Sequence, residues 1–194
     1  MIKPTKKPNN AVLEIARLHP RNRHQGHYDF ARLSAASDEL HQYLRKNPAG
    51  ETTIDFAEAR AVKALNCALL KDSYGICNWD IPATNLCPPV PGRADYLHHL
   101  ADLLTSSNHG KLPKKNNLQV LDIGTGANGI YPLIGAAEYG WQFVASDINP
   151  SSLSNVERIL ASNPHLAEKI SLRLQTDSNT IFHNIIQDTD WFDL

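Results

Sequence analysis

The chain has 194 residues, 42% apolar and 20% charged, with a formal charge of −1. That length holds one full domain, or a domain with a sizeable appendage, at the balance of an ordinary globular protein. No apolar stretch approaches the roughly 20 residues of a membrane span, and the N-terminus lacks the apolar core of a secretory signal. Cys67, Cys77 and Cys87 contain no Cys-x-x-Cys pair, so neither a disulfide framework nor a zinc knuckle is indicated, and a cytoplasmic protein with reduced thiols is the expectation.

The charge is unevenly placed. Residues 1–30 carry six Lys/Arg (Lys3, Lys6, Lys7, Arg17, Arg21, Arg23) against Glu14 and Asp29, a balance of +4 that leaves −5 for the rest. A basic arm on a mildly acidic body suits a polyanion; a solvated tail is the plain alternative. From Leu18 to Phe30, cations are mixed with imidazole and aromatic rings. Single-stranded RNA suits such a mixture, because cations hold its backbone and flat rings stack on its bases. Arg17, His19, Arg21, Asn22, Arg23 and His24 are therefore candidate RNA contacts. His19, His24 and His27 follow no common metal spacing and have no cysteine beside them, so no metal is expected.

Phe30, Leu33, Leu40 and Leu44 recur at helical spacing and predict a helix over 30–44. Pro48 and Gly50 mark 46–53 as a loop. Asp55 is placed to cap a second helix through Leu70, with Phe56, Val62, Leu65 and Leu69 on its apolar side and Gly75 as its stop. Residues 79–93 hold four of the twelve prolines, too many for a regular element, yet they are too apolar for a floppy linker. An ordered loop that lines or covers a site is the expectation. Leu97, Leu100 and Leu104 place a third helix over 93–106, with His98 and His99 on its flank or surface. Residues 108–117 read as a linker.

Beyond the linker the pattern alternates. Strands are expected over 118–123, 141–148 and 170–174, with helices over 128–139, 150–162 and 178–187, and 191–194 opens a fourth strand. Such alternation means βαβ units and a parallel sheet. The chain thus divides into a basic arm (1–30), a mostly helical region with linker (31–117) and an incomplete nucleotide-binding half (118–194). In a doubly wound sheet the first strand is central. Three units would leave one edge of 118–123 unpaired, so the expectation is a fragment, or an edge covered by the N-terminal region or a partner.

The first of these strands runs into a glycine turn: Val120-Leu-Asp122-Ile-Gly124-Thr125-Gly126-Ala-Asn128-Gly129. Gly124-x-Gly126-x-x-Gly129 matches the dinucleotide fingerprint, and Asp147 lies about where a ribose-binding acid belongs. Asp122 argues against NAD, because a carboxylate at the strand tip repels the pyrophosphate that such a turn would hold. S-adenosyl-L-methionine has no phosphates; it brings an ammonium group and a sulfonium cation, which a carboxylate favours. Asp147 would accept from the ribose hydroxyls, and Asp177 and Ser178 are placed for the adenine edge. The plain alternatives are a turn-capping role for Asp122 and a helix-capping role for Asp177.

These residues, taken with three further motifs, resemble the ribosomal RNA large-subunit methyltransferase F family. The motifs are Asp55-Phe-Ala with Ala61-Val-Lys-Ala-Leu-Asn66, Pro89-Val-Pro-Gly-Arg93-Ala-Asp-Tyr-Leu-His-His99, and His19-Pro-Arg-Asn-Arg23. The pattern is also similar to the eukaryotic adenine-N6 methyltransferase acting on spliceosomal small nuclear RNA. The resemblance implies a Rossmann-like class I methyltransferase fold and transfer of a methyl group from S-adenosyl-L-methionine to the N6 amine of one adenine in 23S rRNA. It also implies that Arg93 reaches the cofactor carboxylate. The family's Asn-Pro-Pro-Phe motif, which would hold and stack on a flipped adenine, is absent; it is expected beyond Leu194, so no catalytic residue is named within the chain and no turnover is expected from it. An RNA-binding module with a non-catalytic nucleotide fold, and an NAD-dependent oxidoreductase, are the rival readings.

Overall fold

The computed structural model describes residues 18–112 and 118–194. Leu18 to Asp29 lie as a strap against the helices that follow. Asp29 caps α1 (Phe30–Ala36), accepting from the Arg32 N–H at 3.0 Å. The single helix expected over 30–44 breaks at Ser37, whose extended backbone (φ −144°, ψ 107°) separates α1 from α2 (Asp38–His41). Apolar spacing does not register the break, since Phe30, Leu33 and Leu40 are buried on both sides of it. Within the expected loop the chain forms a small antiparallel ribbon, β1 (Arg45–Lys46) against β2 (Thr52–Thr53). The Asn47 side chain closes it by accepting from the Ala49 and Glu51 N–H groups.

Asp55 does not cap α3 (Ala59–Tyr74); it accepts from the Ala57 N–H in its own turn and pairs with Arg45. Phe56, expected on the apolar side, is 57% exposed and stacks on Tyr28. Gly75 ends α3 in the left-handed conformation (φ 68°), where a side chain would be strained. The proline-rich stretch is ordered and irregular until α4 (Val90–Ser107), which carries Pro91 in its first turn, where a missing N–H is harmless.

β3 (Gln119–Ile123), α5 (Ile130–Tyr139), β4 (Gln142–Asp147), α6 (Pro150–Ala161), α7 (Pro164–Ala167) and β5 (Ile170–Leu174) complete the elements. The three strands pair in parallel in the order β3-β4-β5, with Leu121 opposite Val144 and Val144 opposite Ser171. One pleat face carries Val120, Phe143, Ala145 and Ile170 into the core. α5 lies so close over it that a Cβ on Gly135 would come 2.5 Å from Phe143 Cζ. A single cluster of buried residues runs from Phe30 and Leu33 through α3 and α4 to the sheet, so the helical region and the strands share one core.

The helix expected over 178–187 is not formed. Residues 177–190 run as turns held by side-chain bonds to the backbone, which compete with helix formation. Gln175 Nε2 donates to the Thr180 and His183 carbonyls. Arg173, on the sheet face opposite Phe143, donates to the Ile185 carbonyl and pairs with Asp190. The last residues lie along β3: the Asp193 N–H donates to the Gln119 carbonyl at 2.8 Å and the Leu121 N–H to the Leu194 carbonyl at 3.0 Å. The β3 edge is therefore engaged by the chain itself. Among the described residues no helix is long and apolar enough to cross a membrane.

Candidate functional site

β3 delivers Asp122 and Ile123 to a turn whose three glycines all adopt left-handed backbone: Gly124 at φ +77°, Gly126 at +65° and Gly129 at +54°. The Gly124 and Thr125 N–H groups donate to the Ser146 carbonyl at 2.8 and 2.9 Å, and the Gly126 N–H donates to Asp147 Oδ2 at 2.8 Å. Asn128 Oδ1 accepts from the Ile130 N–H at 3.0 Å and so opens α5. A Cβ on Gly129 would sit 3.1 Å from Val156 Cγ1, whereas one on Gly124 would meet nothing within 4 Å. The turn is thus packed at its far end and open at its start.

That opening adjoins a cavity of about 260 Å³ between the strand tips, lined by Ile123, Gly124, Ser146, Asp147, Ile148, Gln175, Ser178 and Ile181. Asp147 faces it with Oδ1 held by the Asn149 N–H at 2.8 Å. Half-exposed Ile148 and Ile181 supply apolar walls that suit a flat ring; composition and periodicity carry no signal for either. A second cavity of about 330 Å³, with Tyr96, Leu121, Tyr131 and Leu194 in its wall, is lined by Asp122.

Asp122 Oδ2 is buried without a hydrogen-bond partner among the described residues, and so is Thr125 Oγ1. Burial pushes the Asp122 carboxyl above its usual range; the nearby Thr125 side chain opposes that shift and the Asp147 charge adds to it. A buried acceptor of this kind favours a donor, and a cationic one most. Arg93 donates to the Tyr131 hydroxyl at 2.7 Å and lies over its ring, while its buried Nε has no partner among the described residues.

Asp177 does not line the cavity. Its carboxylate accepts from the Asn179 N–H at 2.9 Å and the Thr180 hydroxyl at 3.0 Å, bonds that hold it below its usual range and make it a turn cap. The structure brings Gly124, Asp147 and Ser178 to one cavity and leaves Asp177 outside it.

Arg17 lies outside the described residues, and the rest of the candidate RNA contacts form the strap. His19 is buried, with Nε2 on Asp102 at 2.8 Å and its ring stacked on His98. Buried Asn22 donates to the Pro91 carbonyl and Asp95. Buried His24 meets the Tyr74 hydroxyl at 3.0 Å, and burial with the Arg23 charge lowers its pKa to about 4. These three rings and amides are turned inward instead of towards a base. Half-exposed Arg21 pairs with Asp102, and Arg23 pairs with Glu138 while lying over the Tyr74 ring. His98, expected on a flank or surface, is 1% exposed and bonded to the Tyr139 hydroxyl at 2.6 Å; only His99 is exposed. The reason is the strap, which covers a helix face that periodicity reads as solvent-facing.

Asn163, Asn155 and Trp79 tie residues 77–80, where the proline-rich stretch begins, to the nucleotide-binding half; sequence reading missed both asparagines and placed Trp79 only in a loop expected to line or cover a site. Asn163 accepts from the Cys77 N–H and donates to the Cys77 and Ile159 carbonyls, each at 2.8 Å.

A family model described as RNA methyltransferase matches residues 13–194. The chain is 57% identical to ribosomal RNA large subunit methyltransferase F of Shewanella loihica, over 91% of this chain and 48% of that protein. It is 54% identical to the protein of the same name from Methylobacillus flagellatus, over 93% and 54%. It spans about half the length of the curated relatives it matches. The N-terminal domain of human METTL16 in complex with SAH superposes with a TM-score of 0.78 at 31% identity, covering 90% of this chain and 65% of that one. The METTL16 catalytic domain in complex with the MAT2A 3'UTR hairpin 6 superposes at 0.72 and 31% identity, over 83% and 54%. The fold is that of a Rossmann-like class I methyltransferase.

Proposed function

The chain belongs to the RNA methyltransferase family, and from that premise we propose that it forms the S-adenosyl-L-methionine-binding part of an enzyme that methylates the N6 amine of an adenine in 23S rRNA. The observation that carries this reading is the buried Asp122 Oδ2, without a partner among the described residues, beside an open glycine turn. A group with an ammonium and no phosphate fits there. The same carboxylate opposes NAD, whose pyrophosphate would meet a like charge. Asp122 and Arg93 would hold the amino and carboxylate ends of the donor. Asp147 would hold its ribose, and the cavity walled by Ile148, Ser178 and Ile181 its adenine. When bound, that group supplies an electrophilic methyl; the residues of this chain bind and orient it and exclude water.

The acceptor side rests on the relatives' names and on the basic N-terminal residues. Arg21 and Arg23 are the strap cations that reach solvent, and with Arg17 they are the proposed phosphate contacts. His19, Asn22 and His24 then act by fixing the strap. The arm, helical region and nucleotide-binding half would then divide the work functionally, while the helical region and the nucleotide-binding half share one core. A cytoplasmic location follows from a ribosomal substrate. Calorimetry tests the donor site: S-adenosylhomocysteine is expected to bind and NADH is not, and the reverse result would favour the oxidoreductase reading.

A further inference from the structure

The glycine turn is held from outside as well as from within. The N–H groups of Gly124 to Gly126 point to Ser146 and Asp147, while the Ala127 and Asn128 carbonyls are met by Asn155 of α6 and by Trp79 of the loop after α3. Asn155 Nδ2 donates to the Ala127 carbonyl at 2.6 Å and to the Asp80 carbonyl at 2.8 Å. Trp79 Nε1 donates to the Asn128 carbonyl at 2.8 Å, and Trp79 is 3% exposed. Two adjacent residues of one loop, Trp79 and Asp80, are thereby fastened to two adjacent residues of the turn, Ala127 and Asn128. Asp80 is anchored in turn by Lys63 from α3 and lies 3.7 Å from Arg158 of α6.

A turn with three left-handed glycines within six residues has many alternatives when unrestrained, because glycine visits both halves of the φ range. We propose that Trp79 and Asn155 are positioning residues that keep the turn in its ligand-ready conformation, so that the loop after α3 sets the affinity of the donor site. The proposal rests on the reading of the turn as an S-adenosyl-L-methionine site. Neither side chain enters the two cavities flanking the turn; both act through the backbone of 127–128. A turn only fractionally in the competent conformation binds more weakly by that fraction.

The test uses the 194-residue chain with Asn155→Leu, which keeps the branched shape and removes both donors, and Trp79→Phe, which keeps one aromatic ring and removes the N–H. Calorimetric affinity for S-adenosylhomocysteine is expected to fall about tenfold in Asn155→Leu and about threefold in Trp79→Phe, the range of one or two neutral hydrogen bonds. Amide hydrogen exchange without ligand provides a second readout that a general loss of stability would not reproduce. Exchange at Gly126 to Ile130 should accelerate by about the same factor, while Phe143 to Ala145 in β4 stay unchanged. Unchanged affinity with unchanged local exchange overturns the proposal. So does acceleration spread equally over the turn and β4, and failure of Asn155→Leu to fold leaves Trp79→Phe to decide. Wild-type protein that does not bind S-adenosylhomocysteine removes the donor-site reading instead, and the ligand-free exchange experiment still tests the restraint.

Discussion

Replacing Asp122 with asparagine separates stability from binding. The carboxylate oxygen Oδ2 lies buried with no partner among the described residues, close to a second negative charge at Asp147, and burial raises the carboxyl pKa above the ordinary range. An acid raised on folding contributes stability at pH below its unfolded value, and that contribution is lost as pH rises through the folded value. Ionising the Asp122 carboxyl in the ligand-free protein therefore costs stability. Asp122→Asn removes that cost while keeping a polar side chain of the same shape, and ligand-free stability is expected to rise. The same substitution removes the charge-assisted contact to a cationic ligand, worth about 1.5–3 kcal/mol, so affinity for S-adenosylhomocysteine should fall about 10- to 100-fold. Wild-type affinity should also decline on acidification through the raised Asp122 pKa, and the variant should lack that decline. Urea unfolding monitored by circular dichroism and calorimetry across pH 5 to 8 measure both quantities. A variant that is less stable without ligand, or that binds as tightly as wild type, would refute the assignment of Asp122 as a charge held for a ligand.

Three further outcomes are expected. His24 titrates near 6.5 when unfolded and at about 4 when folded, so stability should fall as pH drops from 6.5 to about 4. The loss is about 3 kcal/mol, and His24→Gln should flatten that part of the pH profile of the urea midpoint. Gly135→Ala would place a Cβ 2.5 Å from Phe143 Cζ and 2.8 Å from Cε2, against a ring with no exposed side to move into. Overpacking of this kind costs about 1–3 kcal/mol, read as a lower thermal midpoint. Asn163→Ala removes three hydrogen bonds from a residue that is 1% exposed. A loss of about 2–3 kcal/mol is expected from guanidinium titration.

The parallel alternation of strands and helices, the shared acid–glycine turn and the stops at Gly75 and Gly140 were legible because each follows from local rules. Strand and helix periods differ, and only glycine sits easily at positive φ. The third strand, Ile170–Leu174, falls where the apolar run places it. The helix expected over 178–187 fails because apolar spacing there is outweighed by Gln175 and Arg173 reaching forward to its carbonyls. Those bonds depend on where β5 ends in space.

The donor half of the candidate site shows the same division. Asp122 and Asp147 could be named from their places at two strand tips, since a parallel sheet puts successive strand ends side by side. Asp177 could not be sorted from a capping residue, expected there at a helix start and found in a turn, because that depends on whether residues 179 and 180 fold back to it. The strap marks the boundary most clearly. Composition shows a basic, ring-bearing segment and nothing about direction; Asp95 and Asp102, on one face of α4, turn His19 and Asn22 inward and leave Arg21 at the surface. Local sequence determined the elements and the acid–glycine chemistry of this protein. In the strap, which polar side chains face the core was decided by partners fifty or more residues away, because burial of a polar group is tolerated only where the fold supplies its hydrogen bonds.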